Sequence, residues 1–462
     1  MDWNKKIKSG QCGVVMGMGV SGRAAVAFLL SQGAEVFVTD SREFEALPEK
    51  DREYLLENNI AFEGGDHTKE FMSQGDFIVI SPGVPTDLPL LKELHEANIP
   101  ILGELALAAP YLTECVVAVT GTNGKTTVTS LVGELLQAAG KKVFVGGNIG
   151  TPLLDYLRQG EHAEFLVLEL SSFQLETAGN FSPHIGILLN ITPDHLDRHK
   201  DIVQYAAAKM NMFVHQKAED KAIICNEDPM CQQIKPMLGP QEVHCFGNWE
   251  SDCAAKGSGY EFRVTLADRI DEYSLTGTKL DSHTGLLNSQ AAVLAVSLLG
   301  CGQADMERAL NSFSPASHRL QHVRTIDGVD YYNDSKATNT GAVLSALASF
   351  PGNIILLAGG RDKGEEYTVL KELIQEKVKA LILLGEAAQI IDQAIGMSSI
   401  SHHVSSMEEA VTMAADMANP GDTVLLAPAC SSFDMFDNYC HRGDVFMEIV
   451  QNLSKKQKEK AA

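Results

Sequence analysis

A short apolar strand runs directly into a loop suited to holding phosphate groups. Residues 116–127 read Val-Val-Ala-Val-Thr-Gly-Thr-Asn-Gly-Lys-Thr-Thr, so a glycine turn separates the strand from a helix that opens at Lys125. Gly121 and Gly124 let backbone N–H groups turn inward around phosphate oxygens, and the helix adds its positive N-terminal end. Lys125 can reach the terminal phosphates, and the Thr126 hydroxyl can ligate Mg²⁺. The pattern predicts a nucleoside triphosphate site in a tighter variant of the usual P-loop.

Two later segments carry candidate metal ligands. The apolar strand 165–169 ends in Glu169, and a carboxylate at the end of a strand beside a P-loop is where Mg²⁺ would be held. His195 follows the apolar strand 184–189 and has acidic residues around it, which suits a metal or phosphate contact. Lys209 lies in a helical stretch, and from the sequence alone it reads as an ordinary solvated lysine.

The N-terminal segment predicts a second nucleotide site. Gly17, Gly19 and Gly22 follow a strand and open a helix expected from Arg23, in the spacing of a Rossmann fingerprint. Asp40 ends the next strand, where it could hold a ribose hydroxyl. Ser81-Pro82-Gly83 follows the strand 77–80 and forms a further loop on the same sheet edge. The fingerprint alone suggests NAD, but the same geometry serves any nucleotide diphosphate.

Polar loops also follow three strands in the C-terminal third. They cover residues 333–339, 359–364 and 427–434, and such loops at the carboxyl ends of parallel strands define a ligand crevice. Lys363 and Ser432 in these loops could grip an anionic small molecule. Arg319, just before this region, could reach a nucleotide bound in the middle domain because arginine pairs well with phosphate.

Short apolar strands alternate with helical patterns almost throughout, which predicts α/β domains with mostly parallel sheets. The length and the placement of the motifs predict three domains, over residues 1–104, 105–314 and 315–462. Residues from about 240 to 280 lack a clear period and are expected to form only strands and turns. The chain is therefore expected to have a Rossmann-like N-terminal domain, a central P-loop ATPase-like domain and a Rossmann-like C-terminal domain.

Composition narrows the class of partner and the compartment. The formal net charge of −23 argues against nucleic acid or an anionic membrane as the main partner. The N-terminus has no apolar core typical of a signal peptide, and the apolar runs are too short to span a bilayer. Nine cysteines occur without a CxxC pair, which predicts reduced thiols in a cytoplasmic protein rather than disulfides or zinc.

Taken together, the motifs resemble those of the Mur ligase family of ATP-dependent amide-forming enzymes. The matches run in order along the chain, from Gly17 to Arg442: Gly-Thr-Asn-Gly-Lys-Thr-Thr, Leu-Glu-Leu-Ser-Ser-Phe-Gln, Asp-His-Leu-Asp-Arg-His, His-Arg, and Asn-Asp-Ser-Lys-Ala-Thr-Asn. The pattern is most similar to the members that add D-glutamate to UDP-N-acetylmuramoyl-L-alanine through an acyl phosphate. The Asp-Asn-Pro-Arg signature of the diamino-acid-adding members is absent.

The resemblance implies a role for each matching position. It implies catalysis by Lys125, His195, Lys209 and Arg319. It implies ATP contacts from Gly121, Thr122, Asn123, Gly124, Lys125, Thr126, Thr127, Asn288, Arg319 and Asp334. The UDP-sugar would meet Ser21, Asp40, Ser41, Arg42, Ser81, Asn148 and His195. D-glutamate would meet Thr338, Lys363, Ser432 and Tyr439. Two Mg²⁺ ions would lie near Thr126, Glu169, His195 and Lys209, and Lys209 would carry a CO₂-derived carbamate. A monomer is expected.

Two positions depart from the family pattern, and three other functions stay open. Leu287 stands where a histidine is common, and Tyr439 stands where a phenylalanine is expected, so the details of contacts there are in doubt. Another Mur-type or folyl-polyglutamate ligase is the alternative within the fold, although the folate enzymes lack the N-terminal domain with the glycine loop. A nicotinamide dehydrogenase would leave the phosphate loop and Glu169 unexplained. A non-catalytic nucleotide sensor is the third alternative.

Overall fold

The computed structural model describes residues 3–160, 162–196, 198–396 and 399–453. The strands in these ranges form three sheets, so the prediction of α/β architecture is confirmed. The chain divides into two compact units. The first contains the residues up to Ile191, Val203–Ser274 and Leu287–Phe313, and the second contains Thr192–Ile202, Leu275–Leu286 and the residues from Ser314 onward.

The first sheet is entirely parallel, in the order β3-β2-β1-β4-β5. Its strands are β1 (Cys12–Met16), β2 (Glu35–Asp40), β3 (Ala61–Gly64), β4 (Phe77–Ile80) and β5 (Ile101–Leu102). Its helices are α1 (Val20–Ser31), α2 (Glu49–Glu57), α3 (Lys69–Met72), α4 (Pro89–Glu96) and α5 (Glu104–Ala108). This order is that of a Rossmann-like half, as the glycine fingerprint predicts.

Helix α1 begins at Val20, three residues earlier than the expected start at Arg23. Gly22 therefore lies in the first turn, where an added Cβ would stand 1.9 Å from the carbonyl oxygen of Gly17. A glycine at this position lets the helix pack closely on the turn that follows β1.

The second sheet runs in the order β14-β13-β12-β11-β10-β9-β6-β8-β7. Its strands are β6 (Cys115–Thr120), β7 (Val143–Gly147), β8 (Phe165–Glu169), β9 (Ile185–Leu188), β10 (Lys221–Cys225), β11 (Glu242–Gly247), β12 (Ala255–Ser258), β13 (Glu261–Thr265) and β14 (Ile270–Ser274). The helices along this stretch are α6 (Lys125–Ala138), α7 (Leu153–Gln159), α8 (Ser172–Glu176), α9 (Ile202–Met210), α10 (Pro229–Ile234), α11 (His283–Leu298) and α12 (Gln303–Ser312).

Strands β7 to β12 of this sheet are parallel, and β13 and β14 extend it as antiparallel strands. The stretch from about 240 to 280, expected to form strands and turns, contains β11 to β14, which lie at one end of the sheet. Strand β6 lies between β8 and β9. The loops after these three strands consequently leave the sheet at one edge, which brings together the residues of the predicted phosphate site.

The third sheet runs in the order β15-β16-β20-β17-β18-β19 and is parallel apart from β15. Its strands are β15 (Gln321–Ile326), β16 (Val329–Asn333), β17 (Ile354–Gly359), β18 (Val378–Leu384), β19 (Ser401–His403) and β20 (Thr423–Leu426). Its helices are α13 (Thr340–Ala348), α14 (Lys371–Lys377), α15 (Ala388–Ile395), α16 (Met407–Met417) and α17 (Tyr439–Asn452).

Helices cover both faces of the third sheet. Leu356 of β17 packs with one apolar cluster that includes Val343 of α13, while its neighbour Leu357 packs with another that includes Phe446 of α17. Such two-sided burial explains why β17 is apolar at nearly every position rather than alternating. Sequence periodicity did not reveal β15 and β19, which are polar edge strands that bury few side chains.

Each sheet lies inside one of the three predicted domain ranges. The first two sheets belong to a single compact unit, in which α1 packs on α7, so the boundaries themselves stay predictions. Within the described residues, no helix is both long enough and apolar enough to span a membrane.

Candidate active site

The loop between β6 and α6 needs its two glycines for different reasons. Gly121 has a φ of 153° and Gly124 has a φ of 85°, and residues other than glycine rarely adopt such backbone angles. An added Cβ on Gly124 would also stand 2.6 Å from the Oδ1 of the buried Asn288. Helix α6 begins at Lys125, as the sequence predicts. The loop therefore brings the N-terminus of α6 and the Asn288 side chain together, and their contacts with ATP stay predictions.

The side chain of Asn190 holds this loop from the neighbouring strand, a role that sequence reasoning missed. Its Oδ1 accepts hydrogen bonds from the backbone N–H groups of Thr122 and Asn123, at 3.1 and 2.8 Å. Its Nδ2 donates to the carbonyl oxygen of Asn123 at 3.1 Å. The side-chain amide of Asn190 thus bonds both the N–H and the carbonyl oxygen of Asn123 and fixes the conformation of the loop.

Asn190 is itself held in place through the next residue. The N–H of Ile191 donates to Oδ2 of Asp228 at 3.1 Å, and Oδ1 of the same carboxylate accepts from the N–H of Cys231 at 2.8 Å. Asp228 is also the N-cap of α10. One carboxylate therefore ties the start of a helix to the segment that clamps the phosphate loop.

The structure brings together Thr126 and Glu169, two of the residues predicted to bind Mg²⁺. The Thr126 hydroxyl donates to Oε2 of Glu169 at 2.7 Å, and Nδ2 of Asn148 donates to Oε1 at 2.8 Å. Glu169 is only 2% exposed. A hydroxyl and a carboxylate are hard oxygen donors, which fit Mg²⁺ by type. Asn148, expected at the UDP-sugar, here orients this carboxylate.

Two lysines converge on one carbonyl of the phosphate loop. Lys125 Nζ donates to the carbonyl oxygens of Gly121 and Thr122, at 2.9 and 2.8 Å. Lys209 Nζ donates to the same Gly121 carbonyl at 2.8 Å and lies 4.4 Å from the ring centroid of Tyr205. Lys209 is 1% exposed, so its alternative reading as a solvated helix lysine is wrong. Two amines from distant parts of the chain therefore meet at the loop.

In the first sheet, Asp40 braces the glycine loop. Its Oδ2 accepts from the N–H of Met18 at 2.6 Å, and its Oδ1 accepts from the N–H and Nε of Arg42 at 3.0 and 2.8 Å. Burial would raise the pKa of Asp40, but the bonds from Arg42 and Met18 outweigh it and hold the pKa at about 2. A ribose contact by this carboxylate stays a prediction.

The other predicted UDP-sugar residues lie around the same loop. The Ser81 hydroxyl donates to the carbonyl oxygen of Gly17 at 2.7 Å and so joins the loops after β1 and β4. Ser21 is half-buried near the start of α1, and Ser41 and Arg42 are exposed after β2.

His195 belongs to the second unit, within Thr192–Ile202, and has a φ of 57°. Its neighbour Asp194 is 7% exposed and accepts hydrogen bonds from Lys363 Nζ at 3.2 Å and from Asn339 Nδ2 at 2.9 Å. Burial raises the pKa of Asp194, but the charges of Lys363 and His195 lower it more. Asp194 thus fixes the lysine that was predicted to bind D-glutamate. The joint metal site of His195 with Thr126 and Glu169 stays a prediction.

A buried arginine, Arg442, joins two of the three polar loops of the third sheet. It is 2% exposed, and its Nε and Nη2 donate to the hydroxyl and carbonyl oxygens of Ser335, at 3.0 and 2.9 Å. Its Nη1 donates to the carbonyl oxygen of Cys430 at 3.1 Å. Because β16, β20 and β17 are neighbours, these loops share one edge of the sheet, as predicted for the crevice of Thr338, Lys363 and Ser432.

Three further predicted residues lie beside this crevice. Lys336 Nζ stands 4.0 Å from the ring centroid of Tyr439. Oδ1 of Asp334 accepts from the N–H of Leu320 at 3.2 Å. Burial raises the pKa of Asp334 to about 6, although the Leu320 bond and the charge of Arg319 oppose the rise. ATP contacts from Asp334 and Arg319 stay predictions.

Comparison with known proteins gives a single family over the whole chain. A Mur ligase MurD-like N-terminal domain matches residues 11–103, a Mur ligase middle domain matches 119–295, and a Mur ligase glutamate ligase domain matches 318–430. The three-domain organisation expected from the motifs is therefore confirmed.

Relatives match along nearly their full lengths. A UDP-N-acetylmuramoylalanine--D-glutamate ligase of Desulfotalea psychrophila is 48% identical over 440 residues, which is 95% of each chain. A ligase of the same name from Desulfosudis oleivorans is 42% identical over 446 residues, covering 95% of this chain and 96% of that one. The MurF ligase of Thermotoga maritima, solved with ADP, shares the fold with a TM-score of 0.58 at 19% identity, over 99% of this chain and 97% of that chain. The chain belongs to the Mur ligase family.

Proposed function

We propose that the protein is an ATP-dependent ligase that joins D-glutamate to UDP-N-acetylmuramoyl-L-alanine, a step in making peptidoglycan precursors. The observation that carries this proposal is the phosphate loop with Lys125, Lys209 and the Thr126–Glu169 pair at one sheet edge. It occurs in a chain 48% identical to a ligase named for that reaction. A dehydrogenase would leave this arrangement without a use, and a nucleotide sensor differs from a ligase in that it would not hydrolyse ATP in dependence on both co-substrates.

The chemistry requires a carboxylate to become an electrophile. The L-alanyl carboxylate attacks the γ-phosphorus of ATP and ADP leaves, so that the product is an acyl phosphate with a good leaving group. The amine of D-glutamate then attacks the acyl carbon, and phosphate departs as the amide forms. The protein contributes mainly by positioning the reactants and by stabilising charge on the transferring phosphoryl group.

The phosphate loop supplies most of that stabilisation. Lys125 is flexible enough to exchange its bonds to loop carbonyls for a bond to the γ-phosphate, and the N-terminus of α6 faces the β-phosphate. Asn190 keeps the peptide groups of the loop fixed, so little reorganisation is needed as charge develops. Thr126 and Glu169 would hold Mg²⁺, which when bound offsets phosphate charge.

Lys209 is proposed to carry a carbamate, formed from CO₂ and the neutral amine. Its burial among Tyr205, Ala206 and Ala208 favours the neutral form because desolvation penalises an ammonium ion. Among the described residues there is no group of three or more His, Cys, Asp and Glu side chains that could hold a metal ion. A carbamate on Lys209, which lies at the phosphate loop, would add an anionic oxygen ligand to the carboxylate of Glu169 in a site for two Mg²⁺ ions.

The remaining substrates are assigned by the same reasoning. We place the uridine nucleotide at the glycine loop of the first sheet, near Ser21, Asp40, Ser41, Arg42 and Ser81. D-glutamate is assigned to the crevice of Thr338, Lys363, Ser432 and Tyr439, where Lys363 would meet a carboxylate. Asn288, Arg319 and Asp334 are assigned to ATP, and Asn148 and His195 to the lower part of the UDP-sugar. We further propose that the protein acts in the cytoplasm, where sugar nucleotides and ATP are found. We also propose that it is a monomer.

Phosphate release tests the proposal directly. The purified protein is given ATP, Mg²⁺ and UDP-N-acetylmuramoyl-L-alanine, and amino acids are added one at a time. Phosphate should appear only with D-glutamate, and the product should gain the mass of one glutamyl residue. Turnover with a different amino acid would favour another Mur-type ligase, and hydrolysis independent of both co-substrates would contradict a ligase function.

A further inference from the structure

Two buried cysteine side chains meet at the end of β11, in a part of the second sheet that the proposed reaction does not use. Cys245 lies on β11 and Cys253 lies just before β12, and each is 6% exposed. The Cys245 Sγ donates to the carbonyl oxygen of Asp252, the residue directly before Cys253, at 3.3 Å, so the two cysteines lie close together. Pairing of Phe246 with Ala255 fixes these two segments side by side.

A cation stands beside one sulfur of this pair. Lys235, directly after α10, places its Nζ 3.7 Å from the Cys245 Sγ. A positive charge and a hydrogen bond donated by a second thiol both favour the thiolate over the thiol. The Cys253 bond and the Lys235 charge accordingly lower the pKa of Cys245, although burial opposes them.

The other cysteines with a shifted pKa behave in the opposite way. Burial raises the pKa of their thiols, as it does for Cys12, Cys115, Cys225, Cys231, Cys301 and Cys430. A metal is a poor explanation for the pair, because no group of three or more His, Cys, Asp and Glu side chains suited to a metal ion occurs in the described ranges. A thiolate with a second, resolving thiol beside it is the arrangement typical of a redox-sensitive site, and the 6% exposure of each cysteine restricts access here to small oxidants.

We propose that Cys245 and Cys253 form a reversible oxidation site for small hydroperoxides, in which Cys245 attacks and Cys253 resolves. The Cys245 thiolate attacks the peroxide, so an S–O bond forms, the O–O bond breaks and the leaving oxygen takes a proton as alcohol or water. The Cys253 thiol then attacks the sulfenic sulfur, an S–S bond forms, and water leaves with the thiol proton. Two sulfurs are oxidised by two electrons in total, and the peroxide is reduced. A dithiol reverses the change.

The experiment treats the full-length protein with hydrogen peroxide and follows the masses of intact protein and of peptides digested without reduction. The wild type should lose the mass of two hydrogens and yield a peptide joined through Cys245 and Cys253. The Cys253→Ser variant should instead accumulate a sulfenic acid on Cys245, which dimedone labels. Cys301→Ser is the matched control, a buried cysteine of the same unit, and should oxidise as the wild type does.

The role of the cation is tested separately with Lys235→Met. Dimedone labelling of Cys245 in the Cys253→Ser background should slow by up to about tenfold for each unit by which the thiol pKa rises above the pH. If peroxide oxidises Cys245→Ser and wild type at equal rates, or joins other cysteines first, the proposal is wrong. Because the readouts are masses, they do not depend on the ligase reaction.

Discussion

At the scale of single residues, two lysines that lie far apart in the sequence meet at the phosphate loop. Lys125 and Lys209 both donate to the Gly121 carbonyl, yet they serve different purposes in the proposed reaction. Lys125 is half-buried at the start of α6 and can swing to a phosphate, whereas Lys209 is enclosed by its own helix and Tyr205. Only the first is suited to follow a moving charge.

Replacing Lys125 by alanine should nearly abolish turnover. The change removes the cation that reaches the terminal phosphates, and loss of one comparable electrostatic donor costs about 10²–10³ in rate. Initial rates of phosphate release measure the effect. Lys142→Ala, a change at an exposed position just beyond α6, serves as control and should leave the rate unchanged. A Lys125→Ala rate within a few-fold of the wild type would contradict the assignment of the loop.

Replacing Lys209 by alanine should also inactivate the protein, but in a way that short carboxylates reverse. Acetate or formate can enter the vacated space and supply the anionic oxygens that the proposed carbamate would provide. We expect kcat to rise with carboxylate concentration in Lys209→Ala and to stay flat in Lys125→Ala. Failure of every short carboxylate to restore activity, in a variant that still melts as the wild type does, would leave Lys209 as an amine that braces Gly121.

At the scale of elements, the site depends on which strands are neighbours. Strand β6 carries the phosphate loop, β8 brings Glu169 to one side of it, and the segment after β9 brings Asn190 to the other. In the third sheet, Arg442 of α17 donates hydrogen bonds to the loops after β16 and β20 and so holds them together. Both sites are thus built from loops that side chains of other elements hold in place.

Asn190 is therefore expected to act on ATP through the loop rather than by touching it. In Asn190→Ala, the N–H and the carbonyl oxygen of the half-buried Asn123 each lose a hydrogen bond to this side chain, and each such bond contributes about 0.5–1.5 kcal/mol. We expect the KM for ATP to rise about tenfold or more, with a much smaller change in the KM for D-glutamate. Asn190→Asp keeps the acceptor and should recover part of the effect. Equal changes in all KM values would indicate a general folding defect instead.

At the scale of the whole molecule, two carboxylates with lowered pKa values, one in each compact unit, link stability to acid. Asp40 has a pKa of about 2 in the folded protein, whereas a free aspartate has a pKa of about 3.9. Its contribution is complete above the higher value and is lost as the pH falls through the lower one. Asp194 in the second unit has a lowered pKa as well, in its contacts with Lys363 and His195.

The midpoint of thermal unfolding should consequently fall as the pH is lowered from about 4 to about 2. Asp40→Asn should melt at a lower temperature than the wild type at neutral pH, and this difference should shrink toward pH 2. Scanning calorimetry over this range measures both. Asp66→Asn, a change at an exposed position just after β3 and without the Arg42 contact, is the control. A constant difference at every pH would show that the Asp40 charge does not contribute.

Much of the protein follows from local patterns in its sequence. Glycines at set spacings, a lysine and a threonine at the start of a helix, and apolar runs ending in Glu169 or Asn333 obey short-range rules of backbone geometry and capping. These rules were enough to predict the phosphate loop, the main strands and the polar loops at strand ends. Polar edge strands such as β15 were not predicted, because they bury too few side chains to show an alternating hydrophobic pattern.

Only the tertiary structure decided which groups hold one another. The Asn190 side chain reaches a loop 67 residues away, Lys209 reaches Gly121 across 88 residues, and Asp194 meets Lys363 across 169. Such pairs depend on the order of strands in a sheet and on the burial of a helix face. Neither is encoded in the local period of one sequence, because many sheet orders are compatible with the same alternation of strands and helices. The sequence thus determines the kind of chemistry, and the fold determines the partners that orient it.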